Sequence, residues 1–315
     1  MQYTEVSQDL ETKAMITTKQ IKTYFCGCVR NCAKYIPAVI NNIEKLAKQF
    51  DDYHIVVAYD MSTDQSLHEL CTAKRRLTKM DILINRNPLS VVRTQNIANA
   101  RNTILEFIRT DRLDNSTRSD FEYFFMIDFD DVCAGTMNMN ALNTYLEKER
   151  DGCPCPWDAL SFNRPKYYDI WALSIHPFMY NCWGFPNGGA VVDIMRNYVQ
   201  KKLQDVLKNK EIAEDKEPVC GCELLNCASA FNGFAVYRLD KFIDISYEWT
   251  TTKNMELITP DQVQIMAAIV GQPVGQRMHD EDCEHRYFHM KATHVNGARI
   301  CISPYILFTE MVTSH

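Results

Sequence analysis

The sequence contains neither a G-x-G-x-x-G nor a G-x-x-x-x-G-K-[ST] run. That removes the commonest dinucleotide-binding and NTPase loops. No apolar stretch approaches the roughly 20 residues that cross a bilayer as a helix. Basic charge is not in excess: the net charge is -6 over 315 residues, which argues against a general nucleic-acid binder. Met1 to Gln20 has no apolar signal core, so a peripheral lead-in and a cytoplasmic protein are expected. A lumenal protein is the alternative if a targeting segment is missing. Internal repeats and low-complexity segments are also lacking. The 13 cysteines are an odd number, and their close pairs Cys26/Cys28, Cys153/Cys155 and Cys220/Cys222, with Cys227 nearby, have a single intervening residue. Zinc sites usually place about two to four residues between ligands, so reduced and mostly buried thiols are expected instead.

What is present is an ordinary globular composition, 46% hydrophobic and 23% charged, with enough chain for a substantial core. Its centre is Glu122-Tyr123-Phe124-Phe125-Met126-Ile127-Asp128-Phe129-Asp130-Asp131. The short, unbroken apolar run predicts a strand buried on both faces. The acids fall just past its carboxyl end, where open α/β sheets bind ligands, and Asp128 and Asp130 at alternate positions suit one hard cation. Ahead of it, Ile21 to Val29 reads as a strand, Ile36 to Ala47 as a helix, and Tyr53 to Tyr59 as a second strand ending at Asp60. Ser62 and Gln65 have capping-box spacing, Met80 to Ile84 reads as a third strand, and Val91 to Thr110 as a helix with Ile97, Ala100, Ile104 and Ile108 on one face. Four strand-helix alternations predict a mostly parallel, Rossmann-type mixed α/β sheet flanked by helices. Its strand exits at Gly27 to Asn31, Asp60 to Asp64 and Asp128 would line one crevice. The division expected is a lead-in over 1–20, a ligand-binding half over 21–150, and a second half over 151–315 packed with it as one continuous domain.

In the second half Trp157 to Phe162 reads as a strand, Trp183 to Gly189 as a loop and Ala190 to Leu207 as a helix. Val219 to Ala230 and Phe234 to Arg238 read as strands split by Asn232-Gly233, a hairpin-type turn. Thr259 opens a short helix through Ile269.

Six ordered segments carry a resemblance: Phe25-Cys26-Gly27-Cys28-Val29-Arg30-Asn31, the Asp60-x-Ser62-x-Asp64 turn, Ala100-Arg101-Asn102, the D-x-D of Asp128-Phe129-Asp130, Ala230 to Tyr237, and Cys283-Glu284-His285-x-x-Phe288-His289. Over roughly Ile21 to Lys291 the chain resembles nucleotide-sugar-dependent glycosyltransferases of the GT-A fold, including fungal capsule mannosyltransferase-like and large-DNA-virus enzymes. The resemblance implies a nucleoside diphosphate sugar as donor, a glycan or other hydroxyl acceptor, and Mn²⁺ or Mg²⁺ as cofactor. It places Asp130 on the metal, Asp128 on metal or ribose beside Phe129, and His289 as the late histidine that completes the metal site. His279, His285 and His294 compete with His289, whose plain alternative is a satisfied structural histidine. Asp131 is as apt to cap the following helix as to bind metal.

Arg101 falls on the apolar face of its helix, so it needs an anionic partner. The donor diphosphate is one candidate and a structural carboxylate such as Asp60 the other. Gly27, Arg30 and Asp60 are expected to meet the nucleotide. The acceptor's base, in an inverting reaction, is assigned to Glu284, with Glu223, Asp193 and Asp158 as rivals. Acceptor recognition is assigned to Trp183, Asn232, Gly233 and Tyr237, with Phe185 and Asn187 as further candidates. Two other classes stay open: a nucleotidyltransferase making the activated sugar, and a non-catalytic sugar- or nucleotide-binding module.

Overall fold

The computed structural model describes residues 19–152, 156–213, 223–275 and 280–309. Cys153, Cys155, Cys220, Cys222 and His279 lie outside them. The first half alternates as its pattern requires: β1 (Lys22–Val29), α1 (Ile36–Ala47), β2 (Asp52–Asp60), α2 (Ser66–Arg76), β3 (Met80–Asn85), α3 (Arg93–Asp114) and β4 (Tyr123–Asp128). There follow α4 (Asp131–Ala134), α5 (Met139–Arg150), β5 (Ala159–Asn163), α6 (Gly188–Ala213), β6 (Leu225–Cys227), β7 (Phe234–Arg238), α7 (Leu239–Phe242), α8 (Thr251–Met255), α9 (Pro260–Val270), α10 (Glu284–Asn296) and β8 (Ile300–Ile306).

All the strands join one 8-stranded sheet, ordered β3-β2-β1-β4-β7-β5-β8-β6. β1 pairs in parallel with β2 and β4, β2 with β3, and β5 with β8. Only β7 and β6 run against their neighbours. The sheet is thus mixed α/β and mostly parallel, and strands from both halves share it. β1 lies between β2 and β4, so successive crossovers leave it in opposite directions. This is the switch point at which an open sheet forms a crevice beyond its strand ends.

β4 is apolar throughout because each of its faces is covered. Phe125 and Ile127 join the layer beneath α1, with Phe25, Val29 and the α1 residues Val39, Ile40 and Ile43. Phe124 and Met126 face the other way, onto Ala98, Ile104, Leu105 and Ile108 of α3. The alternation of a strand and the 3.6-residue period of a helix meet here in one buried stripe.

Several local expectations are corrected. α2 is not capped by a Ser62–Gln65 box. Asp64 Oδ1 instead accepts from the backbone N and hydroxyl of Ser66, at 2.9 and 2.6 Å, and Ser62 is drawn off to the neighbouring turn. Asn232 and Gly233 do adopt positive φ, 57° and 87°, but the strands on either side do not pair with each other. β7 is inserted between β4 and β5, whereas β6 lies at the sheet edge on β8. β8 itself is not anticipated, because Pro304 interrupts its pattern. Its ladder with β5 shifts register at that point.

Candidate active site

A cavity of about 610 Å³ opens beyond the ends of β1, β2 and β4 and is closed on its far side by residues 168–171 and the start of α10. Two turns are stitched together on the side of the β1 and β2 exits. Asn31, at φ 54°, donates its N–H to Ser62 Oγ (3.0 Å) and accepts from Thr63 N (2.8 Å). Asp64 Oδ2 accepts from Ala33 N at 3.0 Å. Ser62 and Asp64 are therefore spent on loop structure. Arg30 and Asp60 line the cavity, and Asp60 accepts from Asn85 Nδ2 at 2.8 Å.

Gly27 does not make a phosphate turn. It lies within β1, and a Cβ there would stand 2.3 Å from the Phe129 ring. The absent side chain makes room for Phe129, which is buried, lets the chain turn after β4, and so aims Asp128 and Asp130 into the cavity.

Asp128 is tied down on three sides. Its N–H donates to Gly233 O at 2.9 Å, Tyr168 OH donates to Oδ2 at 3.1 Å, and Arg101 Nη2 lies 3.4 Å from Oδ1. Burial and the neighbouring Asp130 still push its carboxyl up to about 7, against the pull of Arg101. Asp130 is raised as well, by burial foremost. It is Asp130, not Asp131, that caps α4, accepting from Val132 N at 3.1 Å. Two acids with too little compensating charge fit a hard divalent cation, and both carboxylates keep oxygen capacity for one. Among the described residues no group of three His, Cys, Asp or Glu forms a complete cage. A cation held by Asp128 and Asp130 would draw its remaining ligands from substrate or water.

Arg101 is buried at one turn of α3 and makes a close ion pair with Glu284 as well as its contact with Asp128. Its guanidinium lies over the rings of Phe231 and Tyr247, 4.9 and 5.6 Å from their centres. Burial works against its charge, but Glu284 and Asp128 outweigh burial and raise its pKa. Its anionic partner is thus a structural carboxylate, though Glu284 rather than Asp60. Glu284, the expected base, lines the cavity but is committed to Arg101, which suits it to holding that arginine in place.

The cavity also holds Asp169, whose sequence context gives no sign of a site. Burial raises its carboxyl to about 6, with Glu284 adding to the effect and the N–H of Ala172 and Asn232 opposing it. Asp169 sits in the irregular Tyr167 to Tyr180 stretch, and its placement depends on a residue far away in sequence. Asn232 Oδ1 accepts from the N–H of both Tyr168 (3.2 Å) and Asp169 (3.3 Å), and its Nδ2 donates to Phe162 O (2.9 Å). Gly233, next to it, holds Asp128. The Asn232-Gly233 turn thus fixes Asp128 and Asp169 relative to each other, and neither residue lines the cavity as an acceptor contact.

Further expectations are corrected. His289 is fully buried with both ring nitrogens engaged, Nδ1 with Ser229 Oγ (2.9 Å) and Nε2 with Tyr237 OH (3.0 Å). Burial, then Arg101, pushes its pKa down to about 3, so it is a neutral structural histidine outside the cavity wall. Tyr237 is its partner and stacks on Phe124, which removes it as an acceptor platform. Trp183 is half exposed but packs beside Gly188, away from the cavity wall. Asp158 is paired with Arg299, Asp193 with Arg196, and Glu223 accepts from Tyr305, so none of the rival bases reaches the cavity.

No family model matches the sequence, and no curated protein matches it. Solved structures with a partial likeness include S. aureus TarS, 14% identical, over 93% of this chain and 37% of that one, with a TM-score of 0.43. S. aureus TarS 1-349 in complex with UDP is 14% identical over 92% and 60% of the two chains, with a TM-score of 0.41. M. tuberculosis glucosyl-3-phosphoglycerate synthase in complex with Mn²⁺, UDP and glucosyl-3-phosphoglycerate is 10% identical over 71% and 58%, with a TM-score of 0.36. The chain spans between 37% and 60% of the length of these proteins.

Proposed function

We propose that the chain is a metal-dependent glycosyltransferase that moves a sugar from a nucleoside diphosphate donor to a hydroxyl acceptor such as a glycan, with inversion. The observation that carries this reading is the pair Asp128 and Asp130 at the sheet's switch point, both raised by burial with too little positive charge to offset them. A divalent cation, which Asp128 and Asp130 would hold, would supply Lewis-acid neutralisation of a departing diphosphate. The chain's own residues do the rest. Asp60 and Arg30 border the part of the cavity formed by the β1 and β2 exits and meet the nucleoside. Arg101, fixed by Glu284 and its aromatic neighbours, keeps a permanent positive charge beside Asp128.

Asp169 is the base. With its carboxyl near 6 it is ionised at neutral pH and still basic enough to accept a proton. The acceptor hydroxyl gives its proton to Asp169 Oδ as its oxygen bonds to the anomeric carbon. The bond from that carbon to the diphosphate oxygen breaks, and its electron pair leaves with the nucleoside diphosphate. None of the described helices is long and apolar enough to cross a membrane.

A panel of nucleotide sugars with and without Mn²⁺ tests the reading. Release of nucleoside diphosphate that requires metal is expected. Pyrophosphate release from an NTP and sugar phosphate would identify a nucleotidyltransferase instead. Binding without turnover across the panel and a set of glycan acceptors would identify a binding module.

A further inference from the structure

One wall of the cavity carries groups that the mechanism above does not use. His285 is 1% exposed and lies against Phe231, ring centres 3.8 Å apart at 23°. Among the described residues neither of its ring nitrogens has a hydrogen-bond partner, nor does the Nε1–H of Trp171 in the same wall. Buried nitrogens are nearly always paired, so two unpaired residues in one cavity wall call for a partner such as a water or a bound ligand. Burial and the nearby Arg101 hold the imidazole well below its ordinary pKa, so it is neutral and offers one donor and one acceptor. An indole N–H offers a donor only.

We infer that the wall formed by Trp171, Phe231 and His285 is the subsite for the transferred sugar, and that it takes a neutral sugar rather than a uronic acid. The inference rests on the glycosyltransferase reading. A pyranose presents a C–H face and a rim of hydroxyls, and an aromatic wall edged by unpaired nitrogens matches both. A rim of hydroxyls can supply one group that donates and another that accepts, which is what the two divergent nitrogens of a neutral imidazole require. Charge sets the second part. Asp169 and Glu284 border this wall, and Arg101, 4.9 Å from the Phe231 ring centre, is already shared between Glu284 and Asp128. Arg30 and Arg93, the cavity's other cations, are exposed residues of the turn after β1 and the first turn of α3. A carboxylate on the sugar would meet the two carboxylates that border this wall, while Arg101, the cation in contact with it, is already shared between Glu284 and Asp128, a built-in discrimination against a charged sugar.

Calorimetric titration of the full chain in Mn²⁺ tests this with UDP, GDP, UDP-glucose, GDP-mannose, UDP-glucuronate and GDP-mannuronate. For whichever nucleoside binds, the neutral-sugar donor is expected to bind at least about ten-fold tighter than the uronate. His285→Phe keeps the ring on Phe231 and removes both unpaired nitrogens. It should weaken the neutral donor about ten-fold, leave the sugar-free nucleoside diphosphate unchanged, and keep or raise the melting temperature. Equal or tighter uronate binding, or an unaltered donor affinity in His285→Phe, overturns the subsite. If neither nucleoside diphosphate binds, the glycosyltransferase reading falls and the subsite with it.

Discussion

Asp128→Asn is expected to raise the melting temperature of the metal-free protein by about 4 °C at pH 8 while lowering turnover about 10³-fold. The two effects have one cause. In the folded chain the Asp128 carboxyl is raised to about 7, from an ordinary value of 3.8. A raised carboxyl means that the folded state holds its proton more tightly than the unfolded state does. The associated stability is fully present below the unfolded value and is lost as pH rises through the folded one. The side chain is 25% exposed, so water moderates the cost, which we place at about 2 kcal/mol at pH 8. Asparagine keeps the Tyr168 hydrogen bond and removes the charge. Thermal melts at pH 8, 7, 6 and 5 should therefore show the advantage of the variant shrinking toward pH 5, where Asp128 is itself protonated. An advantage that is equal at all these pH values would mean the charge is not its source. Turnover falls because the cation loses a carboxylate.

Asp169→Asn and Glu284→Gln are expected to fail in different ways. Asp169→Asn should lower kcat by about 10³-fold with little change in donor KM, because it removes the proton acceptor, and should raise the melting temperature slightly at pH 8, since burial raises this carboxyl as it does that of Asp128. In the unaltered enzyme, turnover should fall as pH drops through about 6, the value to which burial raises Asp169. The residual rate of the variant should lack that limb. Glu284→Gln breaks a pair in which both side chains are 5% exposed and leaves Arg101 with only Asp128. A loss of stability of about 3 kcal/mol follows, read as a lowered denaturant midpoint. If Glu284→Gln instead abolished turnover at full stability and Asp169→Asn were active, the two roles would be exchanged.

The architecture was legible because its signals are local. Tyr123 to Ile127 is apolar without a break, and α3 repeats Ala100, Ile104 and Ile108, so strand and helix announce themselves and their alternation dictates the parallel sheet. The D-x-D acids were legible for the same reason, being fixed by the end of one strand. What was hidden depends on contacts distant in sequence. Asp169 is an acid in an irregular stretch until Asn232 seizes its backbone, 63 residues away. Glu284 reads as a free late acid until α10 brings it to Arg101, 183 residues away. His289 had the right residue type and position in the chain for a ligand, yet Ser229 and Tyr237 occupy both nitrogens. Gly27 read as a loop glycine; its reason is the Phe129 ring across the sheet. The Asn232-Gly233 pair was recognised as a tight turn from its residues, but turn chemistry says nothing about which strands it joins.

The central claim is that Asp128 and Asp130 hold a divalent cation that binds the donor's diphosphate. Calorimetric titration of UDP and GDP, with Mn²⁺ and with EDTA, into the unaltered chain and Asp130→Ala tests it most directly. Asp130 also caps the short α4, so the variant should lose about 1 kcal/mol of stability and remain folded. The account predicts that Mn²⁺ tightens binding of one nucleoside diphosphate at least about ten-fold in the unaltered chain and has no such effect in Asp130→Ala. A folded Asp130→Ala protein that retains the full Mn²⁺ enhancement would contradict it.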